Sequence, residues 1–504
     1  MGVKSLLAKP VVHLMAKSVN KSRVNPLDCQ KKVFESLVKE AGNTNFGIEH
    51  DFRSIKNYED FKKNVPIREY EDFKQYIEKI KKGDSDVLWP GKPSYFAKTS
   101  GTTSGAKYIP ITKDSIPNHI NTARASLIMY INRTGNSSFL DGKMMFLSGS
   151  PEMESVSGIK TGRLSGIVHN HVPSYLLANR LPSYETNCIE EWEEKMEKTA
   201  DETLGADMRL ISGIPPWIIS YFEVLMRRSG KKIIELFPHF SVLAHGGVNY
   251  DPYKDALEEL IGKKIDTLET YPASEGFIAF QDAEDELGLL LNVNSGIFFE
   301  FIPLDQIHDE NPERFQLEDV KTDVNYAIVI NNNAGLWGYS LGDTVKFLST
   351  KPYRIKVTGR VKHYISAFGE HVIADEVEWA MGQMTAEKKA AVNEFTVAPR
   401  MNQSDEKPCH EWYVEFSQMP DDKEGFVKRL DEKMREKNIY YDDLIRSGIL
   451  SPLKVFALPE NSFREYMKSI GKLGGQNKIQ RLSNSREITE QLDKFVTEKW
   501  EIKP

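Results

Sequence analysis

The chain has 504 residues, 40% hydrophobic, 28% charged and 10% aromatic, with a formal net charge of −7. That length implies about two to four domains with sizeable cores, and the mixed, mildly acidic charge argues against a nucleic-acid binder. Three cysteines, Cys29, Cys188 and Cys409, lie far apart, which excludes a disulfide framework and a cysteine zinc site and suits a reducing compartment.

The N-terminal stretch MGVKSLLAKPVVHLMAKSV scatters lysines through its apolar part, unlike a secretory signal. Leu6 stands where myristoylation needs Ser or Thr. No run approaches the ~18 apolar residues of a membrane helix. A cytoplasmic monomer with no membrane or nucleic-acid partner is expected. Residues 27–90 then read as helices with charged outer faces: LDCQKKVFESLVKEAG, YEDFKKNV and EYEDFKQYIEKIKKG. Their apolar residues recur at three- and four-residue spacing, with Gly42 and Gly83 as stops.

From about residue 95 to 350 the texture changes to short apolar runs ending in Gly, Ser, Pro or Asn. KMMFLSGS, MRLISGIPPW, FSVLAHGGVN, IDTLETYPASEG, IFFEFIP and NYAIVINNNAG are of this kind, with helical stretches such as PPWIISYFEVLMRRSG and DPYKDALEELIGK between them. Strands alternating with helices predict an α/β domain with a buried sheet. Small residues at the strand ends suit either bound ligand or ordinary turns. Past YRIKVTGRVKHYISAFGEHVIADEVEWAM a second α+β region follows. It holds strands EFTVAP, EWYVEFS and LKVFALP and a helix KEGFVKRLDEKMREKN.

The stretch KTSGTTSGAK at 98–107 concentrates glycines, hydroxyls and lysines after an apparent strand SYFA. Successive N–H groups in a glycine-rich turn cradle anions, and lysine adds a mobile charge. Only three residues separate Gly101 from Gly105, and Tyr108 follows Lys107, so this is no Walker loop. Taken alone it reads as an anion cradle or as a solvated Ser/Gly loop. Downstream, HGGVNYDPY (245–253) lets a flat base approach the backbone. YPASEG (271–276) offers an aromatic face, a hydroxyl and Glu275, an oxygen ligand suited to Mg2+. YSLGD (339–343) places Asp343 for a ribose diol, TGR (358–360) adds a guanidinium, and GGQNKIQR (474–481) carries a lysine in a glycine-rich loop. Two tempting sites are set aside. His169-Asn170-His171 has no third ligand. Cys409 and His410, adjacent on a strand, face opposite sides.

In their order these segments resemble the adenylate-forming superfamily of acyl-CoA synthetases, adenylation domains and luciferases. Within it the chain resembles the Gretchen Hagen family of acyl acid amido synthetases, in its bacterial form. The resemblance rests on KNVPIREYEDFKQYIEKI, VLWPGKPSYFAKTSGTTSGAKYIPIT, ISGIPPW, HGGVNYDPY, LETYPASEGF and GLWGYSLGDTVKF, and it covers nearly the whole chain. It implies a large α/β N-terminal adenylate-forming domain over 1–358, with mixed sheets and helices, and a smaller α+β C-terminal lid over 359–504. Ser100, Gly101, Thr102, Thr103, Ser104, Gly105 and Lys107 match the family's phosphate loop for ATP. His245, Gly246 and Gly247 match the segment beside adenine and acyl acid, and Tyr271 the ring on adenine. Ser274 and Glu275 match the α-phosphate and metal position, Asp343 and Arg360 the ribose contacts, and Lys362 the hinge. Lys478 matches the catalytic C-terminal lysine. Ser340 stands where the family commonly has arginine, and Gln480 where plant relatives usually have proline.

By the same resemblance the helix NHINTARASLIMY lines the acid pocket, and the segments around Ser148 and Trp217 contribute to it. Arg124 there reads either as a partner for the acid's carboxylate or as a surface residue. The implied reaction transfers AMP from ATP, with Mg2+, to a small carboxylic acid and then passes the acyl group to an amino acid amine. Lysines, loop N–H groups and metal neutralise charge, with no nucleophilic side chain needed. Coenzyme A as acceptor, or a non-catalytic nucleotide-binding relative, are the alternatives.

Overall fold

The computed structural model describes the chain outside residues 1–2, 103–104, 172–177, 248–249, 251–252, 284–286, 308, 310, 323, 362–363, 366, 371, 389, 402–406, 471–478, 480 and 503–504. The chain divides into two compact units. One comprises Met1–Thr99, Lys107–Ile189 and Glu194–Val361; the other comprises Ser100–Ala106, Glu190–Glu193 and Lys362–Pro504. Among the described residues no helix is long and apolar enough to cross a membrane.

In the first unit the predicted helices form at Pro26–Ala41, Tyr58–Asn64 and Tyr70–Lys81. Local chemistry fixes their ends. Pro26 opens the first, where a missing N–H costs nothing, and the Asn57 side chain accepts the Asp60 N–H at the start of the second. The third opens with a reciprocal capping box between Glu69 and Asp72. It buries Tyr70, Phe73, Tyr76, Ile77 and Ile80 along one face. These side chains join a large core with Phe46, Phe52, Phe61 and Trp337, where rings meet edge-on or stacked. A helix over Val3–Val24 lies upstream of them, and its Val12 and Ala16 pack with Ile128 and Ile131 of the helix Ile116–Thr134.

An eleven-stranded sheet runs through this unit. Arg180–Leu181, Lys143–Phe146, Met208–Gly213, Val242–Gly246 and Asp266–Ala273 pair in parallel, in that order. Polarity then reverses. Gly276–Phe280, Leu289–Leu291, Tyr353–Arg360, Tyr339–Thr350, Asn325–Asn332 and Ile297–Pro303 continue antiparallel. The last two strands are wholly or almost wholly buried, as their unbroken apolar runs require. The glycine-rich stretch belongs to a second, four-stranded sheet. Extended backbone runs over Tyr95–Thr102 and again over Gly105–Ile111, so the described part of the stretch is strand ends rather than a long loop.

The second unit is built on a four-stranded sheet ordered Ala391–Arg400, Cys409–Gln418, Lys454–Leu458, Glu498–Trp500. Its middle pair is parallel and the outer pairs antiparallel. Lys423–Lys437, capped by the Asp422 side chain, contributes Phe426, Val427, Leu430 and Met434 to the core of this unit.

Candidate functional site

The parallel strands share one carboxyl edge, and their register sets the order of groups along it. Gly213 lies opposite His245, and Gly246 opposite Thr270. The Thr270 hydroxyl donates to the His245 carbonyl at 3.0 Å. Gly246 is obligatory there, because a Cβ would stand 2.2 Å from the Thr270 carbonyl oxygen. Gly247 follows with φ +84°, a left-handed turn that takes the chain off the strand end. His245 is 3% exposed and its ring stacks on Tyr250 at 4.0 Å between centroids. Burial pushes its imidazole down to about 4, so it is neutral at physiological pH.

Tyr271, one residue on from Thr270, donates its phenol O–H to Asp343 Oδ2 at 2.5 Å. The strands carrying these two residues stand four places apart in the sheet, about 19 Å along a flat one. Contact therefore requires the antiparallel half to curl back over the polarity change. Asp343 is buried, and across the ladder its register partner is Arg360. Between the two halves, at the turn from Asp266–Ala273 to Gly276–Phe280, sit half-buried Ser274 and Glu275. Glu275 Oε1 accepts the Tyr339 hydroxyl at 3.1 Å, and its backbone carbonyl accepts from Asn332 Nδ2 at 2.7 Å.

The expected residues His245, Gly246, Gly247, Tyr271, Ser274, Glu275 and Asp343 thus lie on one edge of one unit, with Arg360 opposite Asp343 in register. Lys107 belongs to the same unit, with its ammonium 5.7 Å from the Tyr70 ring centroid. Arg124 is exposed on the Ile116–Thr134 helix, and nothing in the described geometry joins it to this group. Ser100, Gly101, Thr102 and Gly105 have extended backbone. Thr103, Ser104, Lys362, Lys478 and Gln480 lie outside the described residues. Tyr250, Tyr339 and Asn332 are partners that motif reading passed over. Tyr250 and Tyr339 stand inside quoted motifs, and their position there was the available signal.

Among the described residues no three His, Cys, Asp or Glu side chains group as a metal cage. A single carboxylate steadied by a phenol, as at Glu275, fits the habit of Mg2+ of taking one or two protein carboxylates and completing its shell with phosphate oxygens. The motifs set aside have other contacts. His410 Nε2 lies 2.9 Å from Glu370 Oε1, both wholly buried, while burial pushes the Cys409 thiol up to about 12. His169 and His171 lie against the rings of Tyr184 and Tyr95.

The chain matches the GH3 family N-terminal domain at residues 15–172, the GH3 family central domain at 290–360 and the GH3 family C-terminal domain at 375–487. It belongs to the GH3 family. It is 23% identical over 386 residues to jasmonoyl–L-amino acid synthetase JAR4 of Nicotiana attenuata. That match covers 63% of this chain and 66% of JAR4, just short of two thirds of its length. The fold is similar to GH3.15 acyl acid amido synthetase in complex with 2,4-DB, with a TM-score of 0.61 at 16% identity and 98% coverage of each chain. It is also similar to 2-hydroxyisobutyryl-CoA ligase in complex with 2-HIB-AMP and CoA, with a TM-score of 0.57 at 14% identity, covering 93% of this chain and 92% of the ligase.

Proposed function

We propose that this chain is an ATP-dependent acyl acid amido synthetase that adenylates a small carboxylic acid and transfers the acyl group to an amino acid, releasing pyrophosphate and AMP. The Tyr271–Asp343 hydrogen bond beside Glu275 carries this reading. It gathers an aromatic face, an acceptor for a ribose diol and one carboxylate at the strand ends where open sheets bind nucleotides. Asp343 and Arg360 hold ribose, Gly246 and Gly247 let the base lie on the backbone, and the 100–107 stretch binds the phosphates. Glu275 would hold Mg2+, which would supply charge neutralisation at the reacting phosphorus. Neutral His245 packs against the acid without adding charge. Lys478 reaches the α-phosphate and the acyl carboxylate after a hinge movement at Lys362. The enzyme works in the cytoplasm as a monomer.

Pyrophosphate release with ATP, Mg2+ and a panel of small carboxylic acids, each with and without pooled amino acids, tests this. Acid-dependent release that rises with amino acids is expected, with an amide as product. Release that responds only to coenzyme A moves the chain to the CoA ligases, whose fold it shares. In the same assay Lys478→Ala lowers adenylation by about a hundredfold or more and leaves ATP affinity within a few-fold. Parental turnover in that variant removes the lysine from the mechanism.

A further inference from the structure

Three cationic side chains from three elements meet the chain at Phe146–Gly149, where the strand Lys143–Phe146 leaves the sheet. Arg180, on the edge strand Arg180–Leu181, lays its guanidinium 4.8 Å from the Phe146 ring centroid. Lys195, in the helix Trp192–Thr203, donates to the Ser148 carbonyl at 2.9 Å and to the Asn187 carbonyl at 2.7 Å. Arg163, at the N-terminal boundary of the helix Leu164–His169, presses so closely on Gly149 that a Cβ there would stand 2.7 Å from its Nη1.

Two of these cations have no acidic partner among the described residues. Lys195 is 3% exposed, and both of its hydrogen bonds go to neutral carbonyls. Burial and the charge of Arg163 push its ammonium down to about 8. The Arg180 Nε is buried without an acceptor among the described residues, and burial alone pulls the guanidinium down to about 10. Close by, the His169 Nδ1 is buried with no hydrogen-bond partner among the described residues, and burial and the Arg180 charge both push its imidazole down. A desolvated cation without a counter-charge is unfavourable, and an anionic ligand relieves it.

We propose that Phe146–Gly149, with Arg163, Arg180 and Lys195, forms a subsite for a substrate carboxylate. It lies on the same sheet edge as Tyr271 but three strands away, about 14 Å. The carboxylate it holds is therefore not the one joined to phosphorus near Ser274 and Glu275. It is a second anionic group, either at the far end of a dicarboxylic acyl acid or the α-carboxylate of the amino acid. This specificity rests on the synthetase reading of the same site.

Thermal-shift titration of the full chain with glutarate and adipate, against their monomethyl esters, measures the first source. The parent binds a diacid about tenfold or more tightly than its monoester. Arg180→Met abolishes that preference and leaves the monoester unchanged, and Arg180→Lys restores part of it. For the second source, Arg180→Met raises the amino acid KM about tenfold in amide formation without moving the KM of the corresponding amino acid amide. Should both variants and Lys195→Met, shown folded by circular dichroism, leave diacid and amino acid affinities at parental values, the subsite is wrong. Absence of acid-dependent pyrophosphate release overturns the synthetase reading instead, while diacid binding still decides the subsite.

Discussion

At the scale of single residues, the hydrogen bond from Tyr271 makes the Asp343 carboxylate a structural clasp, and the proposed function adds a ligand role to it. Asp343→Ala removes a charge-assisted contact of about 1.5–3 kcal/mol, so the ATP KM in acid-dependent pyrophosphate exchange should rise roughly ten- to a hundredfold. An unchanged KM would free Asp343 of its nucleotide role. Two buried histidines set the acid limb of stability. Burial pushes both His119 and His245 down to about 4, against 6.5 for an ordinary histidine. Between those values the unfolded chain binds protons that the folded chain does not, so stability falls as pH drops from about 6.5 to 4 and is flat above. Each contributes up to about 3 kcal/mol over that window. Urea titrations at pH 7 and pH 5 check this, and His119→Gln should roughly halve the difference, His245 supplying the rest. Asp343, Glu275, Tyr271 and His245 could be singled out as candidates in the sequence because each sits in a short motif beside glycine or proline. The phenols of Tyr250 and Tyr339 were quoted within motifs, yet their roles depend on which chain segments the folded sheet brings together, and no local pattern encodes that.

Secondary elements were read well where period and punctuation agreed. The Pro215–Ser229 and Lys254–Ile261 helices, both expected as helical stretches, stop at glycines with positive φ, Gly230 and Gly262. The Val3–Val24 helix escaped notice because Pro10 and scattered lysines blur its apolar stripe. The glycine-rich stretch looked like a loop, since flexible composition says little about whether backbone is extended. Close strand packing gives a sharp expectation at Gly246. Gly246→Ala drives a methyl into the Thr270 carbonyl and should cost about 1–3 kcal/mol, seen as a lowered Tm together with loss of adenylation. A second expectation concerns the strand Ile297–Pro303. There Arg314 and buried Glu300 form an ion pair at 2.7 Å, reinforced by Tyr58 and Asn331. Arg314→Met leaves Glu300 uncompensated and should destabilise by about 3–5 kcal/mol in chemical denaturation.

Across the whole molecule, the last break between the two compact units falls at Val361–Lys362. The texture of the sequence changes there because a second core begins. Phe395, Val397, Trp412, Val414, Phe426, Leu430 and Val455 are buried together with the sheet of the C-terminal unit. A fragment of residues 362–504 holds all four strands of that sheet and should melt cooperatively on its own. A broad, non-cooperative transition would show that this core needs the other segments of the chain.

The reversal of strand polarity between Asp266–Ala273 and Gly276–Phe280 has a consequence for directed evolution. On one side the chain leaves parallel strands at residues 147, 214 and 247, so three connecting segments open from one edge without disturbing each other's ladders. Beyond it, antiparallel strands joined through short connections hold Asp343 and Arg360 in fixed register. Recombination with crossovers placed inside the paired residues of the parallel strands would diversify the first set while transmitting the second intact.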